Sequence, residues 1–401
     1  MNEKKIPAIR FQGFTDEWEH HKFGDIAKFI NGRAYTQNEL LPTGKYKVLR
    51  VGNFYTNESW YYSNLELAEK YYAEDGDLLY TWSATFGPHI WHGEKVIYHY
   101  HIWKVDVSDR LDKYFAMQLF EQDKHDILSG YNGSTMAHIT KYGMEKKRVI
   151  IPPNIEEQKQ LGIFLGKLDQ LIALHQHKLT KLQLLKKSML TKMFPKDGAR
   201  VPEIRFQGFH DDWKLHPLNE LAVFGGGHTP SMADEANYKK DGICWVTSQD
   251  VKTDYLFDTC TKLSDKGASE LKLYPDGTII MVTRSGILRH TLPIALLKIP
   301  ATVNQDIRTI SVGLSCSSTW LMHYLKVHER ELLLNYGKVG TTVESIDFSK
   351  LKTMDLLVPT MDEQEKIGAY FSRMDDLIAI HQHNIAKLQH IKQAMLSKLF
   401  V

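Results

Sequence analysis

The hexapeptide IRFQGF stands at residues 9–14 and again at 204–209, and a chain that repeats itself this closely is constrained to fold as two copies of one plan. The agreement runs outward without a gap: IPAIRFQGFTDEWEHHKFGDIAKF at 6–29 lies over VPEIRFQGFHDDWKLHPLNELAVF at 201–224. A longer pair closes each half, with QLGIFLGKLDQLIALHQHKLTKLQLLKKSMLTKMF at 160–194 over KIGAYFSRMDDLIAIHQHNIAKLQHIKQAMLSKLF at 366–400. Between these ends lie regions, roughly 30–130 and 225–335, that do not match, before GSTMAHI at 133–139 resumes the likeness with GTTVESI at 340–346. Shared, different, shared is the pattern of a common frame holding two unlike inserts.

The closing segments predict long helices. Leu161, Leu165, Leu168, Ile172, His175, Leu179, Leu182, Lys186, Met189 and Met193 alternate spacings of four and three, a heptad seam that Ile367, Phe371, Met374, Ile378, His381, Ile385, Leu388, Lys392, Met395 and Leu399 repeat. Glu156-Glu157 and Asp362-Glu363 follow Pro153 and Pro359, where acid suits the positive end of a helix dipole. Nearly 40 residues at about 1.5 Å each give helices of roughly 55 to 60 Å. So long an apolar stripe needs a partner, and the nearest one is the other copy packed antiparallel. The inserts carry strand signals, GDLLYTW at 76–82, KVIYHYHIWKV at 95–105 and GTIIMVT at 277–283, punctuated by Gly, Pro and Asn. The expected fold is therefore α/β (α+β): two globular domains at 1–154 and 197–360, each followed by a spacer helix, 155–196 and 361–401, with a pseudo-two-fold arrangement from the duplication.

Several chemistries find no support. The sequence shows no signal-peptide run and no uninterrupted apolar stretch of about 18 residues or more, so a cytoplasmic location without membrane contact is expected. Cys244, Cys260 and Cys316 lie far apart without metal-ligand spacing. Pro152-Pro153 lacks the flanks of an amine-methylating loop, and Lys45, Lys167 and Lys338 after glycine are followed by Tyr46, Leu168 and Val339, which rules out a Walker loop. Pro275-Asp276 has no acidic sequel before Asp306 that would complete a nuclease core. His99 and His101 would share one strand face, where packing or DNA contact outweighs a metal. His175 and His381 fall on the helix seam, where a polar residue sets register. With 43% hydrophobic and 24% charged residues and a net charge of only +2, overall charge does not announce a nucleic-acid binder; local Lys and Arg must decide.

Two variable globules, each closed by a repeated helix, with the duplicated IRFxGFxxxW motif and the duplicated proline-led Glu-Gln helix, resemble the specificity subunit of a type I restriction-modification enzyme. GHTPS at 227–231, TRSGIL at 283–288 and VNQDI at 303–307 resemble the second-half recognition domains of that family; GRAYTQ at 32–37 and TWSATFGP at 81–88 are their weaker first-half counterparts. The resemblance implies a non-catalytic reader of double-stranded DNA, each globule a target recognition domain and the helices setting the half-site spacing, much as dimeric readers tie spacing to protein geometry. It also implies two modification subunits carrying S-adenosylmethionine for adenine methylation, and restriction subunits using ATP and Mg, with no cofactor bound by this chain. Two equivalent docking partners would explain why the motif is duplicated.

On this reading Arg33, Tyr35, Asn53, Tyr55, Trp82 and Ser83 are first-globule DNA-binding candidates, and His228, Thr229, Ser248, Gln249, Arg284, Ser285, Asn304 and Gln305 their second-globule counterparts, since Asn and Gln suit adenine and Arg suits guanine. For any single loop polar the alternative is a capped turn, and for Trp82 a place in the core. Ser134, Thr135, Thr341 and Thr342, after glycine, offer backbone amides to phosphate. Lys178, Lys181, Lys186 and Lys187 form an acid-free helix run, either a solvated face or spacer-phosphate contacts. Phe11, Phe14, Trp18, Phe206, Phe209 and Trp213 are assigned to packing or to docking the modification subunits. A coiled-coil scaffold that binds protein alone, or an anti-restriction or regulatory DNA-binding protein without a methyltransferase partner, is the competing reading.

Overall fold

A computed structural model describes residues 6–55, 57–83, 85–130, 140–196, 198–338 and 343–400. The chain divides into two compact units, Met1–Gln176 with His383–Val401, and His177–Gln382. Each unit thus contains the start of one long helix and the end of the other. The helices span Ile155–Lys192 and Met361–Leu399, and every seam position named above is at least partly buried.

In the first unit the described strands are β1 (Glu19–Lys22), β2 (Ala27–Asn31), β3 (Tyr46–Leu49), β4 (Tyr61–Ser63), β5 (Tyr72–Ala73), β6 (Leu78–Thr81), β7 (Gly87–Ile90), β8 (Val96–Tyr98), β9 (Ile102–Val107) and β10 (Arg148–Ile151). They form one sheet in the order β2-β9-β6-β7, a second in the order β4-β3-β8-β5, and a small β1-β10 pair. An inner helix, Lys113–Gly130, packs Phe115 and Phe120 against Trp18, Phe23, Phe29 and Tyr80. Burial of large side chains such as these contributes on the order of 2 kcal/mol apiece.

The second unit comprises β11 (Lys214–Pro217), β12 (Ala222–Gly226), β13 (Tyr238–Val246), β14 (Tyr255–Leu256), β15 (Lys262–Leu263), β16 (Ile279–Val282), β17 (Ile294–Leu297), β18 (Ala301–Val303), β19 (Ile307–Val312), β20 (Gly337–Lys338), β21 (Ser345–Ile346) and β22 (Asp355–Val358). Its sheets run β12-β19-β16-β17-β14 and β15-β13-β18, with pairs β11-β22 and β20-β21. The inserts, unlike in sequence, therefore share a topology: β2-β9-β6-β7 corresponds to β12-β19-β16-β17, and the parallel pair β3-β8 to the parallel pair β13-β18.

The duplicated motifs are the ties between each sheet unit and its helix. Arg10 donates two hydrogen bonds, 2.6 and 2.7 Å, to the fully buried Glu157, and Arg205 repeats this with Glu363 at 2.7 and 2.8 Å. The following glutamines are buried too. Gln158 accepts from the Asp112 amide and donates to the carbonyls of Arg110 and Pro152; Gln364 accepts from Ser317 and donates to Ser315 and Pro359. Trp18 and Trp213 are 1% exposed, each edge-on to the aromatic residue near the end of a long helix, Phe400 and Phe194 respectively. Docking is thereby closed to both tryptophans, because no partner reaches a side chain in the core. Phe11 lies edge-on to Phe164 and Phe206 to Tyr370, also as packing, while the Lys366 ammonium sits over Phe209 and Phe14 is half-buried.

The run at 95–105 is not one strand. It is β8 and β9 with a turn at His99–His101, so those histidines sit in a loop and not on a shared strand face.

Candidate nucleic-acid interface

Four segments meet at one end of each unit: those following β2, β3 and β6, and the β8–β9 turn, or β12, β13, β16 and the β18–β19 turn. Backbone hydrogen bonds fix the correspondence. His99 N donates to Leu49 O at 2.9 Å as Asn304 N does to Val246 O, and Trp82 N donates to His101 O at 3.1 Å as Thr283 N does to Asp306 O at 2.8 Å. Gly32 and Gly227 make the close approach that the turn requires: a Cβ on Gly32 would lie 2.3 Å from His99 O, and one on Gly227 1.7 Å from Val303 O.

In the first unit Arg33 and Tyr35 leave the β2 end together. The Arg33 guanidinium bonds Glu39 at 2.6 Å and lies over the Tyr35 ring, 5.1 Å from its centroid, so part of its guanine-reading fork is occupied. Asn53 holds a turn: Oδ1 accepts from Arg50 N, and Nδ2 donates to the carbonyls of Asn57 and Ser59. Tyr55 is exposed, with its hydroxyl 3.2 Å from His89 Nε2 and Phe54 stacked on the same imidazole at 4.1 Å. Trp82 donates through Nε1 to Tyr100 O and stacks on Trp103 at 5.9 Å, half-buried at the border of core and loop, whereas Ser83 is buried.

The second unit offers different chemistry at the same places. Thr229 Oγ1 donates to Gln305 Oε1 at 2.6 Å, bringing two candidates into contact, and Gln305 is exposed. Exposed His228 uses its carbonyl to accept from Trp245 Nε1. Asn304 is a turn builder: it is 6% exposed, its Oδ1 accepting from the Asp306 amide. Ser248, Gln249 and Ser285 line one cleft of about 560 Å³ with Lys252 and Thr253. Ser285 also accepts from Ile287 N to cap a short turn. Arg284 beside it is exposed, bridged to Ser345 through its backbone. Ser134, Thr135, Thr341 and Thr342 lie outside the described residues.

Burial and neighbouring charge set protonation here. Burial, then His101 and Arg50, push His99 down to about 4, and burial, then Lys124, does the same to His89. Both imidazoles are neutral at pH 7. Lys178, Lys181 and Lys187 are exposed on the helix, but Lys186 is turned inward onto Asp254 at 2.8 Å and onto Asp375, which removes it from the phosphate-facing set.

His99 and His101 were weighed in the sequence for packing or DNA contact; Tyr100 between them and Arg50 were not singled out, although the alternation of imidazole and aromatic residues in YHYH was the signal for Tyr100. Also missed were exposed apolar twins off the seam, Leu171 and Leu174 in one helix and Leu377 and Ile380 in the other, 43%, 46%, 40% and 53% exposed.

A sheet scaffold duplicated in one chain, presenting the same loops twice with different side chains, defines a two-surface recognition protein. Residues 15–184 and 210–390 each match the type I restriction modification DNA specificity domain, and the chain belongs to that family. It is 27% identical over 242 residues to the type I restriction enzyme EcoR124I/EcoR124II specificity subunit of Escherichia coli, and 28% identical over 194 residues to the MjaIX specificity subunit of Methanocaldococcus jannaschii. Those matches cover 60% and 47% of this chain but only 58% and 43% of the relatives' lengths. The MjaVIII specificity subunit of the same archaeon is 22% identical, with 99% of this chain and 95% of the relative covered. In fold the chain is similar to the crystal structure of a type I restriction-modification system S subunit from M. genitalium, with a TM-score of 0.68, 14% identity and 99% of each chain covered.

Proposed function

We propose that this chain is the non-catalytic DNA-reading subunit of a type I restriction-modification complex, with one recognition surface per unit and a target of two unlike parts. The observation that carries the reading is the placement of four equivalent loops in both units with different chemistry on each: an aromatic and imidazole group in the first, exposed Gln305 and Arg284 with half-buried Thr229 in the second. Equivalent placement suits two half-sites of one duplex, and unlike side chains suit different bases. The twin pairs Leu171/Leu174 and Leu377/Ile380 support two copies of one docking partner, the modification subunit. In this proposal S-adenosylmethionine belongs to those subunits, and ATP with Mg to restriction subunits.

The test is co-expression with the neighbouring methyltransferase subunit in a host lacking adenine methylation, followed by genome-wide mapping of modified adenines. The expected map is one asymmetric two-part motif with a fixed gap. An assembled complex that adds no methylation would overturn the reading.

A further inference from the structure

The β8–β9 turn of the first unit carries a continuous ridge of rings. Tyr35 stacks towards His99 at 6.4 Å, His99 lies 4.5 Å from Tyr100, Tyr100 lies 3.8 Å from His101, and His101 meets Trp82 edge-on at 5.1 Å. Tyr100 is its most exposed member, at 39%. The ridge stands where the second unit places Asn304–Asp306, as the matching backbone bonds show, and so occupies the place of Gln305 and its partner Thr229. Rings packed in this way are ordered before any ligand arrives, which lowers the entropy lost on contact.

The ridge is poorly made for phosphate. Arg33 is engaged by Glu39, and Arg50 lies over the Tyr61 ring at 4.3 Å with Nη2 donating to Ser59 O. Its hydrogen-bonding atoms sit at the edges of the imidazole and phenol rings while the ring faces are apolar, and among the groups displayed in the major groove the apolar one is the thymine methyl.

We infer that the His99–Tyr100–His101 turn determines one position of the first half-site through apolar contact between Tyr100 and the C5-methyl group of a thymine. The inference rests on the DNA-reading function proposed above, and the experiment separates the two. Methylated adenines are mapped for the wild-type complex and for complexes carrying Tyr100→Ala or Tyr100→Phe. The wild-type map tests the function alone. Given a two-part wild-type motif, Tyr100→Ala is expected to relax one thymine-containing position in one half while the other half stays intact, which also shows that the variant is folded; Tyr100→Phe keeps the wild-type motif. Duplexes with deoxyuridine at that position then bind the wild-type complex roughly fourfold more weakly, as loss of one buried methyl predicts, and bind the Tyr100→Ala complex unchanged. An unaltered motif for Tyr100→Ala, relaxation in both halves, relaxation at a position without thymine, or equal binding of thymine and uracil duplexes by the wild type overturns it.

Discussion

The Lys392 ammonium lies 2.6 Å from Asp169 Oδ1, and the pair recurs with the helices exchanged as Lys186 on Asp375. Each aspartate has a further partner on an inner helix, Lys113–Gly130 in the first unit and Ser318–Val327 in the second: Gln118 on Asp169 at 3.0 Å, His323 Nε2 on Asp375 at 3.3 Å. The surroundings differ. Asp375 is 10% exposed and also accepts from the Tyr255 hydroxyl, whereas Asp169 is 35% exposed. Asp375→Asn, which leaves buried charge poorly compensated, is expected to cost about 3 kcal/mol, and Asp169→Asn about 1 kcal/mol. Urea titration of each variant measures both, and equal costs would show that burial does not set the difference.

Removing the arginine of the duplicated motif strands a buried carboxylate. Arg10→Ala and Arg205→Ala are each expected to destabilise by about 3 kcal/mol, with Arg10→Lys retaining part of the loss because one ammonium cannot make both bonds. Calorimetry on the three variants decides this, and losses under about 1 kcal/mol would show that the pair does not anchor the helix.

Acid should weaken the first unit before full carboxylate protonation. His89 and His99 have folded values near 4 against an ordinary 6.5, so the unfolded chain binds more protons between those limits. Stability from keeping them neutral is complete above pH 6.5 and falls as pH drops towards 4. The melting temperature should decline across that window, and His99→Gln should flatten the decline; parallel profiles for variant and wild type would refute it. Asp254 acts lower: burial alone would raise it, but Lys326 and Lys186 hold it at about 2, so its contribution disappears only between about pH 4 and 2.

If the long helices set the half-site gap, deleting one heptad from both shortens each by about 10 Å while preserving the seam. The methylation motif should keep both half-sites and narrow the space between them. An unchanged gap would remove the helices from that role.

Heptad spacing marked every buried seam position, because a helix facing a helix repeats its burial along the sequence. The pairing of Arg10 with Glu157 was not legible, since nothing local joins residues 147 apart. The strand run at 95–105 concealed a turn because Tyr100 and the flanking histidines have strand-like character, and only the backbone bonds from His99 to Leu49 and from Trp82 to His101 break it. Asn53 and Asn304, chosen for their polarity, have side-chain amides engaged in their own turns, which the sequence around them does not announce.

The division of the chain into units bears on the order in which it is made. The second unit is drawn from one unbroken stretch, 177–382, whereas the first needs residues 383–400 as well, among them Phe400 stacked on Phe115 at 5.5 Å. The core of the first unit is therefore complete only once the end of the chain has been made, because Phe400 packs on both Trp18 and Phe115. A chain released without residues 383–400 would keep the whole stretch of the second unit and lack the closing segment of the first.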